Sequence, residues 1–200
     1  MAEEDNKSRI RQYKTAAELI DLWNSHKAGT MFDEDKDFWK NGKLLEYVIL
    51  RAFELEGATV RWPYSISMDD SVVEQIDGAV HIGDIHVLVE CKDYNKNVNI
   101  EPFSKMRNQL LRRPASVIVC IFVREGFTEP ATTLARFAAP QTILLWRGAE
   151  FEYCIAHYKM IEALKLKIRI AAEEFDYSYN VKSYFVNKEL IAKLWNTFLS

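Results

Sequence analysis

The chain has no apolar run approaching the ~18–20 residues of a membrane span, and no apolar stretch follows the polar start Met1-Ala-Glu-Glu-Asp-Asn-Lys to make a signal peptide. A cytoplasmic protein with no membrane partner is expected. Cysteine is scarce: Cys91, Cys120 and Cys154 are odd in number, widely spaced and without a CxxC, which argues against zinc and against a disulfide framework. They read as small buried hydrophobes of a reducing compartment. His26, His81, His86 and His157 form no HxH or HxxxH pair, and structural or incidental roles are expected for all of them. With 7 Gly and 5 Pro there is no collagen-like repeat and no low-complexity linker. Excess charge is absent too. Lys and Arg number 26 against 29 Asp and Glu, so nucleic-acid contact requires a local basic patch.

What is present is an ordinary globular profile, 48% apolar and 12% aromatic over 200 residues, enough for one domain with helical extensions. The first dozen residues are polar and read as frayed. Thr15-Ala-Ala-Glu18 fits a capping box that opens a helix ending near Gly29. The acidic stretch 30–41 reads as a loop or short helix. It lacks the alternate-residue spacing and distal Glu of a calcium loop. A helix over 42–56, an extended piece at 59–64 and a turn at 68–71 follow. The runs 72–82 and 85–92, joined by Gly83-Asp84, read as a hairpin. A helix over 101–113, a buried strand over 115–124, a helix after Thr128 and a short strand over 142–146 complete the alternation. From about residue 149 the chain reads as helical, with a break near 176–184. The expected class is α/β: an αβββαβ core, its central mixed sheet flanked by helices, with extra N- and C-terminal helices. The chain divides as 1–40 (N-terminal helical segment), 41–155 (core) and 156–200 (C-terminal helical extension).

The chemistry lies in Gln75-Ile-Asp77-Gly followed by Val89-Glu90-Cys91-Lys92. Residues i and i+2 of a strand share a face about 6.6 Å apart, so Glu90 and Lys92 project together. A hairpin turning at Gly83-Asp84 sets Asp77 opposite about residue 90. Two close carboxylates repel unless a cation lies between them. Few carboxylates with open positions suit Mg²⁺, which also takes phosphate oxygens; Mn²⁺ could substitute. Beside such an ion Lys92 could orient or deprotonate a water, or neutralise a phosphate. A third acid, Glu46, falls on the apolar stripe of the 42–56 helix with Ile49, Leu50 and Phe53, where a carboxylate needs a partner. Lys43, Tyr47, Arg51 and Glu54 make the expected wet face.

These residues resemble the PD-(D/E)xK nuclease superfamily, in its Mrr-like restriction endonuclease branch. The resemblance rests on Gly42-Lys-Leu-Leu-Glu46, Gln75-Ile-Asp77-Gly78, Leu88-Val-Glu90-Cys91-Lys92-Asp-Tyr94-Asn95 and the strand after them, over about residues 40–155. Glu90 stands where many Mrr-like relatives carry Gln. The resemblance implies a restriction-endonuclease-like fold and metal-dependent hydrolysis of DNA phosphodiester bonds. Asp77, Glu90 and Glu46 would be the metal-binding acids and Lys92 the catalytic lysine. It also sets the 101–113 helix beside the active centre, where Lys105, Arg107, Gln109, Arg112 and Arg113 would meet DNA. A second basic stretch, Lys159, Lys165, Lys167 and Arg169, lies on a helix whose apolar stripe reads as core or dimer contact.

The expected protein is therefore a Mg²⁺-dependent DNA endonuclease of restriction or anti-phage defence. A duplex cut needs two centres, hence a homodimer or a defence complex. The alternatives are a structure-specific repair or junction-resolving nuclease, and a non-catalytic nucleic-acid-binding subunit on a nuclease-like scaffold.

Overall fold

Helix α1 (Ala2–Ile10) begins with Glu3, Glu4 and Asp5 and ends with Lys7 and Arg9, so acid and base each sit at the favourable pole of the helix dipole. The start of the chain is thus helical rather than frayed, and tertiary contacts explain it: Ile10 is fully buried, Arg9 pairs with Asp35, and Arg11 pairs with Glu54. Helix α2 (Ala16–Ala28) has the capping box of Thr15 and Glu18, and ends on Gly29 at φ 69°. The acidic stretch holds a short α3 (Asp33–Phe38). The structure, a computed structural model, describes residues 2–39 and 42–198; positions 40 and 41 of that stretch, and the boundary set between them, lie outside.

Helix α4 (Lys43–Leu55) corrects the expected wet face. Tyr47 is buried and stacks on Trp62, the Arg51 Nε donates to the Tyr13 carbonyl at 3.1 Å, and Glu54 accepts from Arg11 and Arg51. Lys43 alone of the four stays exposed, because α1 and α2 lie over this side of the helix.

Strands β1 (Thr59–Arg61), β2 (Tyr64–Met68), β3 (Ser71–Ile76), β4 (Gly78–Ile82) and β5 (Ile85–Lys92) follow. The single strand expected over 72–82 is broken at Asp77. Its first half pairs with β2 in a separate ribbon, whereas β4 pairs with β1 and β5. The break occurs where Gly78 lets the sheet approach α4: a Cβ there would lie 2.6 Å from the Leu50 Cδ1. Gly78→Ala is expected to cost about 1–3 kcal/mol by overpacking, measurable by urea unfolding. Unchanged stability would mean that α4 is not held this closely.

Next come α5 (Glu101–Leu110), β6 (Val117–Val123), α6 (Glu129–Arg136) and β7 (Ile143–Arg147). Among the described residues the main sheet runs β1-β4-β5-β6-β7, antiparallel through β5 and parallel from β5 to β7. It is the mixed sheet expected. The apolar runs of β5 to β7 are covered on both faces. Val87, Val89, Cys120, Phe122 and Trp146 pack toward the cluster of α2 and α4. Leu88, Val119, Ile121 and Leu145 pack toward the cluster of α5 and α6.

Helices α7 (Gly148–Ala156), α8 (Met160–Glu174) and α9 (Val181–Phe198) close the chain. The helical break is shorter than expected. Lys167 is no part of a basic surface: it is fully buried, with its Nζ 2.6 Å from Glu150 and donating to the Leu145 and Tyr179 carbonyls. A buried ammonium needs such partners, and they tie the segment before α9 to β7.

Candidate active site

The hairpin register puts Gly78 opposite Val89 and Ile82 opposite Ile85. Continued by one residue, it sets Asp77 level with Glu90, as the spacing predicts. The site forms at the C-terminal end of β5, where the sheet stops and α4, α5 and the 93–100 loop meet. Asp77 Oδ2 accepts the Cys91 backbone N–H at 2.8 Å, fixing the acid to the strand that bears Glu90 and Lys92.

Glu90 is fully buried between two ammonium groups. Its Oε1 accepts from the Lys92 Nζ at 2.5 Å and its Oε2 from the Lys105 Nζ at 2.7 Å. Lys92 was read beside Glu90 from strand parity alone. The second lysine reaches it from α5, one turn above the helix start. Glu46 is buried on α4, with both oxygens 3.0 Å from the Lys43 Nζ.

Two cavities open here and share Lys92. One, of about 240 Å³, is lined by Glu46, Asp77, Cys91, Lys92, Asp93 and Tyr94. The other, of about 740 Å³, has Glu90, Lys92, Tyr94 and Lys105 in its wall. Burial pushes the Glu46 carboxyl up to about 7; Asp77 adds to the rise, Lys43 opposes it, and Glu90 contributes further. Burial raises Asp77 as well, with Glu90 repulsion second and the Cys91 N–H, Lys92 and Lys105 opposing. Burial works against the Lys92 charge, but the Glu90 carboxylate outweighs it and the ammonium is held above its ordinary pKa.

The donor chemistry suits a hard cation. Asp77 and Glu46 share the smaller cavity, and carboxylate oxygens are the donors such an ion takes. Among the described residues, however, no three His, Cys, Asp or Glu side chains are grouped closely enough to hold an ion together. The reason is visible at Glu90, whose two oxygens are both engaged by lysines. The structure therefore brings Glu46 and Asp77 onto one wall and leaves Glu90 turned into the neighbouring cavity.

The expected basic helix is divided in use. Lys105 reaches Glu90, but Arg112 and Arg113 both pair with Glu74 of β3. Arg107 lines a separate cavity with Phe103 and Phe137. Gln109 is buried and lines neither Lys92 cavity, so it is not exposed to meet DNA as expected.

Asp93, His26 and Arg124 were missed. The Asp93 carboxylate lines the smaller cavity; its Oδ2 lies 2.6 Å from the His26 Nε2 and its Oδ1 3.5 Å from an Arg124 Nη1. Trp23 stacks on His26, and Arg124 also donates to the Lys27 carbonyl at 3.0 Å. Helix α2 thus braces the residue next to Lys92. No local pattern signals a contact 67 residues apart in sequence. His26→Ala leaves a buried carboxylate short of a partner, and a loss of about 1–3 kcal/mol is expected, read by denaturant melts. A neutral result would show that Arg124 alone suffices.

Residues 40–155 match the family model described as restriction endonuclease, Mrr_cat. No curated protein matches the chain. Solved structures similar to it include a protein of unknown function, AF1548 (18% identity, TM-score 0.40, 53% of this chain and 59% of that one). Protein VC1899 from Vibrio cholerae is also similar (13%, 0.48, 66% and 36%). A third is the MspJI restriction endonuclease in complex with a 27-mer oligonucleotide (17%, 0.39, 72% and 34%). The chain spans less than two thirds of the length of each.

Proposed function

This chain belongs to the Mrr_cat restriction endonuclease family, and from that premise we propose that it is a metal-dependent endonuclease hydrolysing DNA phosphodiester bonds. The observation that carries the reading is the arrangement of Glu46 and Glu90, both buried, and the half-buried Asp77 around the end of β5, where Lys92 lines both cavities. Asp77 and Glu46 are the residues that would hold Mg²⁺ or Mn²⁺, with Glu90 joining by releasing Lys92 or Lys105. A divalent cation there supplies positive charge against the charge that builds on the phosphate during hydrolysis.

The side chains have separable tasks. The Cys91 N–H fixes the Asp77 carboxylate, so this acid cannot swing away from the strand end. Glu90 holds the Lys92 ammonium and keeps it protonated. Lys92 then acts as a cation and hydrogen-bond donor to a phosphate oxygen or to the attacking water. Lys105 is the second cation of the centre, and of the five basic-helix residues it is the one placed to meet the same strand.

On the same premise, residues 41–155 are the nuclease core, working in the cytoplasm in restriction-like or anti-phage defence. Duplex cutting by one centre per chain calls for a homodimer or a defence complex. Supercoiled plasmid incubated with the folded protein should be nicked or linearised with Mg²⁺ or Mn²⁺ and remain intact in EDTA. Intact plasmid under both metals contradicts the proposal.

A further inference from the structure

The larger cavity exceeds what a phosphate contact requires. Its volume of about 740 Å³ falls within the ~300–1,000 Å³ of small-ligand sites. One end is the Glu90, Lys92 and Lys105 cluster. The rest is built by the 93–100 loop and the start of α5, including Tyr94, Lys96, Asn97 and Asn99. This loop is anchored to the core. The Val98 N–H donates to the Gly126 carbonyl at 2.8 Å, and the Thr128 N–H to the Val98 carbonyl at 3.0 Å. Val98 itself is buried and bridges to Phe127 in parallel fashion.

The lining joins three chemistries. Lys96 is exposed and makes no ion pair among the described residues, so its charge is open to a phosphate. Tyr94 is 49% exposed, lines both cavities, and lies one strand repeat beyond Lys92. Asn97 and Asn99 are exposed; the Asn99 Oδ1 accepts the Glu101 N–H at 3.1 Å, a bond that does not use its NH₂. A phosphate-only contact has use for the lysines. An exposed aromatic ring sharing one trough with carboxamides suits the flat face and polar edge of a nucleobase.

Resting on the nuclease reading, we propose that this trough is a nucleotide subsite. It takes an unpaired base of the strand being cut, stacked on Tyr94 with its edge toward Asn97 and Asn99 and its phosphate toward Lys96. The base must leave the duplex stack or come from a single strand, because the trough is walled on one side by α5 and on the other by the anchored loop.

Binding in EDTA, with no cleavage, tests this by fluorescence anisotropy on two single strands of equal length: oligo-dT and an abasic oligonucleotide that keeps every phosphate. The wild-type protein should bind oligo-dT about tenfold more tightly than the abasic strand, the effect of one stacked base. Tyr94→Ala should remove that difference and Tyr94→Phe should keep it. Both variants should melt with the wild type, since Tyr94 is half exposed. Lys96→Ala should weaken both strands equally and lower the salt slope by about one counterion. Equal wild-type affinity for the two strands, no binding of either, or a base preference that survives Tyr94→Ala overturns the subsite. A protein that shows the Tyr94-dependent preference yet never cuts plasmid overturns the nuclease reading alone. One that cuts plasmid without the preference overturns the subsite alone.

Discussion

Lys92→Ala is expected to lower the rate of DNA cleavage by about 10²–10³-fold, the range for loss of one donor aimed at developing charge, while the protein stays folded. Lys92 is the charged side chain common to both cavities. Its loss removes the one cation that both cavities share. Stability should suffer less than activity, because Lys105 still donates to the Glu90 Oε2 and the buried carboxylate keeps one ammonium partner. Lys92→Met, which preserves the apolar stem, separates packing from charge and should be as inactive as Lys92→Ala. Single-turnover plasmid cleavage beside a thermal melt measures both effects. Wild-type rates in either variant would remove Lys92 from the mechanism.

Asp77→Asn should abolish metal-dependent cleavage and, in EDTA above neutral pH, stabilise the protein. The sign follows from linkage. Glu46 has its pKa raised from 4.5 to about 7 on folding, and Asp77 is raised as well. Stability from a raised group is fully present below its unfolded value and is lost as pH rises through the folded value. For Glu46 that window runs from about 4.5 to about 7 and amounts to roughly 3 kcal/mol at most. Asparagine at position 77 removes a charge that Glu46 feels, and its side-chain oxygen still accepts the Cys91 N–H. A gain of about 1 kcal/mol, or ~2–4 °C in melting temperature, is expected at pH 8 and should shrink toward pH 5. Improved stability with lost activity is the usual mark of a site that stores charge for its ligand. A lower melting temperature at pH 8, or retained cleavage, contradicts this account of Asp77.

The parts of the fold legible in the sequence are those set by local pattern. Strand parity placed Glu90 beside Lys92, the Gly83-Asp84 turn fixed the register that brings Asp77 level with Glu90, and the continuous apolar run marked β6 as buried on both faces. The missing parts depend on contacts distant in sequence. Tyr47 and Arg51 look solvent-facing until α1 and α2 cover them. Lys167 looks like surface charge until Glu150 and two carbonyls enclose it. The break at Asp77 coincides with the approach of Leu50 to Gly78, a contact between residues far apart in sequence. In the site, spacing set Asp77 level with Glu90, but did not signal that Glu46 and Asp77 share a cavity, that Lys105 caps Glu90 or that His26 reaches Asp93.

The central claim, that buried acids at the end of β5 form a divalent-cation site, is tested most directly by calorimetric titration of Mn²⁺ into the folded protein without DNA. The account predicts a saturable heat for the wild type that is lost or weakened at least about tenfold in Asp77→Asn. No heat in the wild type, or the same affinity in the variant, would contradict it.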